Sequence, residues 1–287
     1  MKHMIAMSGA TGFVGSNLTK AFKAEAWDVI PLGISDFNLS ADELAARISG
    51  ADVIVNLAGA PITQRWTEEY KKVLYNSRIG VTRKLVSACA VMDKKPQLFI
   101  STSAVGHYAP EGQHTEENFR RAEDFLGNLT QDWEQEALLV KTSGIRTVIF
   151  RFGIILGKDG GALQQMLLPF QKGLGGTIGD GSQGFSWVHI RDLVRAYEAA
   201  VEDTSYEGIY NLTAPSVTTN KDLTKALGAA LGKPAILRIP KFVFRLQYGE
   251  GAEVLTGGQF VTPKRLLDKG FPFEFTDINK AVKDCVG

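Results

Sequence analysis

"MIAMSGATGFVGSNL", residues 4–18, sets the fold on which the rest of the chain is built. An apolar run, Met4–Met7, leads into Gly9, Gly12 and Gly15 at three-residue intervals, and Val14, Leu18, Ala21 and Phe22 then recur at helical spacing. A strand, a tight turn and a helix N-terminus in that order aim unpaired backbone N–H groups and the positive end of a helix dipole at an anion. In this reading Gly9 permits the turn, Gly12 the close approach of a pyrophosphate, and Gly15 the packing of helix on strand. The spacing is Gly-x-x-Gly-x-x-Gly, not Gly-x-Gly-x-x-Gly, so the triplet draws its weight from its position after the first strand of an alternating chain.

That alternation continues outward from the loop. Short apolar or β-branched runs at Val29–Leu32, Val53–Leu57, Leu98–Ile100 and Thr147–Phe150 are separated by helix-length segments such as the one carrying Val81, Leu85, Val86 and Cys89. This pattern predicts an α/β fold with a Rossmann-type doubly wound parallel sheet. Residues 1–153 read as a dinucleotide-binding domain. Residues 154–287 read as a smaller C-terminal substrate lobe, with about 187–213 returning to pack on the first domain. The glycine-rich stretch at 172–184 reads as a long loop over a site or as a lobe boundary. "YNLTA" (210–214) reads as a further strand, and "TNKDLTKALGAALG" as a helix capped near Thr219 or Asn220.

Composition narrows the function. In 287 residues, 32 basic side chains nearly cancel 31 acidic ones, leaving +1, and no run of like charges marks a nucleic-acid arm or a polybasic membrane anchor. No apolar stretch is long enough to span a bilayer, because "TVIFRFGIILG" is split by Arg151. Cys89 and Cys285 lie far apart without a CxxC or a Cys/His cluster, so neither a disulfide framework nor a metal site is expected, and a cytoplasmic setting fits best. Cys89, on an apolar helix face, reads as a small buried hydrophobe.

Further segments carry a resemblance. "VIVNLAG", "FISTSAVGHY", "RFGIILG" and "FSWVHIRDLVRA" occur in an order that resembles the extended branch of the short-chain dehydrogenase/reductase superfamily. "WTEEYKKVLYNSRIGVTRKLV", "DWEQEA", "GKDGGAL" and the C-terminal "PKRLLDKGFPFEF" bring the resemblance to its atypical epimerase-like family 39U, nearly end to end. It implies a nicotinamide cofactor held by Gly9, Thr11, Gly12, Phe13, Val14 and Gly15, by Leu57, Ala58 and Gly59 at the end of the third strand, and by Phe152. It implies Ser103 as the catalytic serine and an asparagine of typical members near Arg78, where an arginine points to an anionic substrate group. The superfamily also admits a homodimer.

The resemblance fails at the proton-transfer step. Such enzymes pair a tyrosine with a lysine four residues later, one helical turn apart, so that the cation lowers the phenol pKa. None of the seven tyrosines here has lysine at that position, and the expected places fall near Leu126 and Thr130. Tyr108, with His107 behind it, is the expected replacement acid, and Glu111 and His114 lie in the same loop. His189 is expected to orient a turn, and "EENFRRAED" to be a wet surface. On the cofactor side, Ser35 and Leu39 follow the second strand. Ile34 stands where the family often carries arginine, and Asp36 opposes a 2′-phosphate. The resemblance implies NADP, with NAD the alternative, and a small-molecule substrate. The sequence supports two functional readings: an NAD(P)-dependent oxidoreductase or epimerase-like protein, and a non-catalytic NADP(H)-binding sensor.

Overall fold

The computed structural model describes residues 3–287. In chain order its strands are β1 (Met4–Ser8), β2 (Asp28–Leu32), β3 (Val53–Asn56), β4 (Leu98–Ala104), β5 (Gln113–His114), β6 (Arg146–Phe152), β7 (Ile154–Leu156), β8 (Gly176–Ile178), β9 (Trp187–His189), β10 (Gly208–Leu212), β11 (Leu237–Ile239) and β12 (Phe260–Val261). Six of them form one parallel sheet in the order β10-β6-β4-β3-β1-β2. The chain steps one way from β1 to β2 and the other way from β3 onward, which opens a crevice above the carboxyl ends of β1 and β3.

Both sheet faces are buried, and the strand sequences alternate accordingly. Ile5, Met7, Val53, Val55, Ile100, Val148 and Phe150 face α1 (Phe13–Ala24) and α7 (Ile190–Glu202), joining Leu18, Phe22, Leu193 and Tyr197 in one core. Ala6, Ile54, Phe99 and Ile149 face the other way, onto α2 (Ala41–Arg47) and α4 (Val81–Val91), with Leu44, Leu85 and Cys89. Cys89 is fully buried, and burial pushes its thiol up to about 12, so it packs and does not react. β4 runs past the expected Leu98–Ile100 to Ala104, because Ser101 still pairs with both β3 and β6, and Thr102, Ser103 and Ala104 keep their ladder partners on β6.

A smaller C-terminal core joins β7, β9, α6 (Ala162–Gln171), α8 (Asn220–Leu231) and the last helix, Ile278–Val286. α8 begins where its cap was expected, with Thr219 and Asp222 in a reciprocal capping box. The stretch 172–184 differs from the open loop expected. It contains β8, paired in parallel with β11, and a Cβ on Gly176 would lie 2.3 Å from the Leu237 carbonyl. Its glycines therefore serve close strand packing, at least in part. Arg265, in "PKRLL", stacks on Tyr210 and donates to the Ile209 and Glu207 carbonyls, fastening the C-terminal segment to β10.

Candidate functional site

The glycine turn is tight for reasons visible atom by atom. Gly9 has φ +68° and lies against Leu57, and its carbonyl accepts from the Gly12 amide at 3.0 Å. A Cβ on Gly15 would sit 2.2 Å from the Gly9 carbonyl, so only glycine lets α1 start this close to the turn. Gly12 caps α1 without a side chain. Among the described residues the amides of Phe13, Val14 and Gly15 have no acceptor within the chain, which leaves three donors at the positive end of a twelve-residue helix. A dinucleotide pyrophosphate fits a cradle of this shape and polarity. The Phe13 ring is enclosed by Gly157, Gly160 and Gly161, each too close for a side chain to intervene freely. Beside this turn a cavity of about 350 Å³ has Thr11, Gly12 and Phe13 in its lining, together with the cations Lys20, Lys158 and Arg191 and the carboxylates Asp159 and Asp284.

The end of β3 forms the facing rim. Ser8 Oγ donates to Asn56 Oδ1 at 2.7 Å and accepts from the Leu57 and Ala58 amides, which ties the end of β3 to the end of β1 and sets Leu57 against Gly9. Asn56 in turn donates to Thr82 Oγ1, which also accepts from Trp133 Nε1 on α5 (Phe125–Leu138). Arg78 lies in a π-helical turn, Asn76–Gly80, joining α3 (Glu68–Tyr75) to α4. Its guanidinium packs against Gly59, lies 5.5 Å from the centre of the Trp133 ring and donates to the Ala60 and Leu74 carbonyls. Among the described residues it has no carboxylate partner, and burial lowers it to about 10. Ser35 is exposed beyond β2, while Leu39 and Phe152 are half-buried, packed on opposite sheet faces.

Below this rim lies a different kind of cluster. Ser103 Oγ donates to Glu134 Oε1 at 2.6 Å, and Arg151 grips the same carboxylate with Nε at 2.7 Å and a terminal nitrogen at 2.6 Å. Arg151 also donates to the Tyr108 hydroxyl, which donates to Asn211 Oδ1, both at 2.6–2.7 Å. The Glu134 and Arg151 side chains are only 6% and 3% exposed. Tyr108 is fully buried, stacked on His114, and burial pushes its phenol up to about 12. The expectation of Tyr108 as a poised acid meets a hydroxyl already committed to two partners. Ser103, 1% exposed, is committed to Glu134. His107 is buried against Phe119 and Tyr108, and burial pulls its imidazole down to about 4, so it is neutral at ordinary pH.

Sequence reasoning did not single out Glu134. Leu126, Thr130 and Glu134 follow one another at four-residue steps on α5, so the carboxylate stands one turn beyond the places where the tyrosine and lysine were sought. The available signal was Arg151, a cation inside a buried strand, which needs a partner. Glu116 was expected on a wet surface but is half-buried and accepts from the backbone amide of Asn211. His189 caps α7 by accepting from the Arg191 amide, and Asp192, three residues on, accepts from the amides of Glu274 and Phe275. Among the described residues no His/Cys/Asp/Glu group could hold a metal ion, and no helix is long and apolar enough to cross a membrane.

Residues 5–213 match the NAD dependent epimerase/dehydratase family, and residues 239–285 match a domain of unknown function, DUF1731. The chain is 37% identical to the mouse epimerase family protein SDR39U1 over 98% of its own length and 99% of the relative's. A crystal structure of the human epimerase family protein SDR39U1 with NADPH is 34% identical, superposes with a TM-score of 0.91 and is covered to 99%, as is this chain. UDP-glucuronic acid 4-epimerase from Bacillus cereus, in complex with NAD, is similar in fold, with a TM-score of 0.79 at 18% identity over 99% of this chain and 98% of that one.

Proposed function

Because the chain belongs to the NAD dependent epimerase/dehydratase family, we propose that it binds NADP(H), with NAD the alternative, and acts as an epimerase-like oxidoreductase on a small molecule. The observation that carries this reading is the first turn of α1, where a side-chain-free cap precedes three amides that have no acceptor among the described residues. The human relative solved with NADPH supports the choice of cofactor. When bound, the nicotinamide supplies or accepts a hydride. The chain's part is to hold and orient: the amides of Phe13 and Val14 take the pyrophosphate, Thr11 and Gly12 leave room for it, and Leu57, Ala58 and Gly59 line the path towards Phe152. Arg78 supplies positive charge to an anionic group bound beside Gly59. Ser103 and Tyr108 act through the Glu134–Arg151 pair as positioning residues beneath the crevice.

A second reading, a non-catalytic NADP(H)-binding sensor, is favoured by one observation: Leu126 and Thr130 occupy the helix positions of the expected acid and its cation. One experiment separates the two. Calorimetric titration with NADPH and NADH is followed by assay of NADPH consumption over a panel of carbonyl compounds and sugar nucleotides. Uptake of NADPH that Gly12→Asp abolishes, together with consumption on the panel, supports the oxidoreductase. Uptake without consumption favours the sensor. No uptake of either dinucleotide removes both.

A further inference from the structure

The carboxyl end of β2 is where this type of fold meets the adenosine ribose, and whatever stands there chooses between a 2′-hydroxyl and a 2′-phosphate. Here the segment Gly33–Leu39 carries no cation. Ile34 projects into solvent at 90% exposure, and Asp36 is the lone charge on the segment. By itself that arrangement favours a ribose diol and repels a phosphate.

Asp36 is not by itself. One carboxylate oxygen accepts from the Gly33 amide at 2.7 Å, and the other lies 3.4 Å from Nε of Arg47. Arg47 is the last residue of α2, and its side chain leans back towards the start of that helix, as helical side chains do. Its guanidinium thereby reaches the outer sheet edge and donates to the Pro31 carbonyl at 3.1 Å. The cation missing from β2 thus arrives from the following helix. One terminal nitrogen of Arg47 has no partner among the described residues, and the side chain is 41% exposed. From α4, Lys84 adds a second positive charge nearby, donating to the Leu39 carbonyl at 2.9 Å.

We infer that the Asp36–Arg47 pair selects the cofactor, with Arg47 offering its free N–H groups to the 2′-phosphate of NADP(H) and cancelling the Asp36 charge that would repel it. A guanidinium suits this task because its planar fork can bind one anion while keeping another partner. The inference rests on the dinucleotide-binding reading above.

The test is calorimetry of NADPH and NADH on the full chain, comparing the parent protein with Arg47→Ala, Arg47→Lys and Asp36→Asn. Thermal unfolding checks that each variant is folded. The parent should bind NADPH more tightly than NADH. Arg47→Ala should weaken NADPH by about tenfold or more while leaving NADH within about twofold. Arg47→Lys should recover part of the loss, and Asp36→Asn should tighten NADPH. An NADPH-to-NADH ratio unchanged in Arg47→Ala, equal weakening of both cofactors, or a parent that prefers NADH overturns the inference while leaving dinucleotide binding intact. A parent that binds neither overturns that reading and this one together.

Discussion

The turn at Gly9–Gly15 and the cluster beneath Ser103 sit at carboxyl ends of the same sheet, yet they treat hydrogen bonding in opposite ways. At the turn, the Phe13 and Val14 amides have no acceptor among the described residues, and the cap position, Gly12, has no side chain to supply one. In the cluster, Ser103, Glu134, Arg151, Tyr108 and Asn211 bond to one another until the hydroxyls and the carboxylate all have partners. A group left unsatisfied at an accessible surface is free to take a ligand. A buried group must be satisfied internally, because an orphan there costs stability. The first region leaves donors open to a ligand and the second satisfies its groups internally, and it is in the second that the resemblance places the candidate catalytic residues.

The comparison breaks most visibly at Glu134. Glu134→Leu leaves the Arg151 guanidinium buried and unpaired, and urea denaturation should register a loss of about 3–5 kcal/mol. Gly15→Ala attacks the other region. With a Cβ 2.2 Å from the Gly9 carbonyl, α1 must shift, which should cost about 1–3 kcal/mol. Titration should show NADPH binding weakened along with the fold. Tyr108→Phe sharpens the contrast, since it removes a hydroxyl bonded to Arg151 and Asn211. It should lower stability by about 1–2 kcal/mol while NADPH affinity is unchanged. A large affinity loss in Tyr108→Phe would mean that the cluster reaches the ligand after all.

A smaller effect should appear with pH. Burial pulls His107 and His189 from 6.5 down to about 4. Below pH 6.5 the unfolded chain takes up protons at these histidines that the native state refuses until about pH 4, so stability falls through that window and is unaffected above it. Glu116 and Asp192, raised chiefly by burial, act in the opposite sense over the acidic part of the range. The contribution of His107 is therefore read as the difference between the parent and His107→Gln in Tm against pH, with the variant showing the shallower decline.

Much of this was legible beforehand because it is local. The short apolar runs reappear as strands of one buried sheet, Thr219 caps α8, and Cys89 is an inert core thiol. The glycine spacing announced the turn, since what each glycine must permit depends on atoms a few residues away. The cluster was not legible. Glu134 and Arg151 are 17 residues apart and Tyr108 and Asn211 are 103 apart, so no window contains the pair that each completes. The burial of Tyr108 was not legible for the same reason: an aromatic in a loop gives no sign that Asn211, on the distant strand β10, will accept from its hydroxyl.

The sequence alone determined the alternating α/β order and the side-chain-free start of α1, since strand period, helix period and glycine tolerance are properties of neighbouring residues. Tertiary structure decided where each charge found its partner. Arg47 comes to rest beside Asp36, Arg151 beside Glu134, and Arg78, among the described residues, beside no carboxylate. Coulombic and hydrogen-bond energies depend on distance in space, and only the folded chain sets those distances.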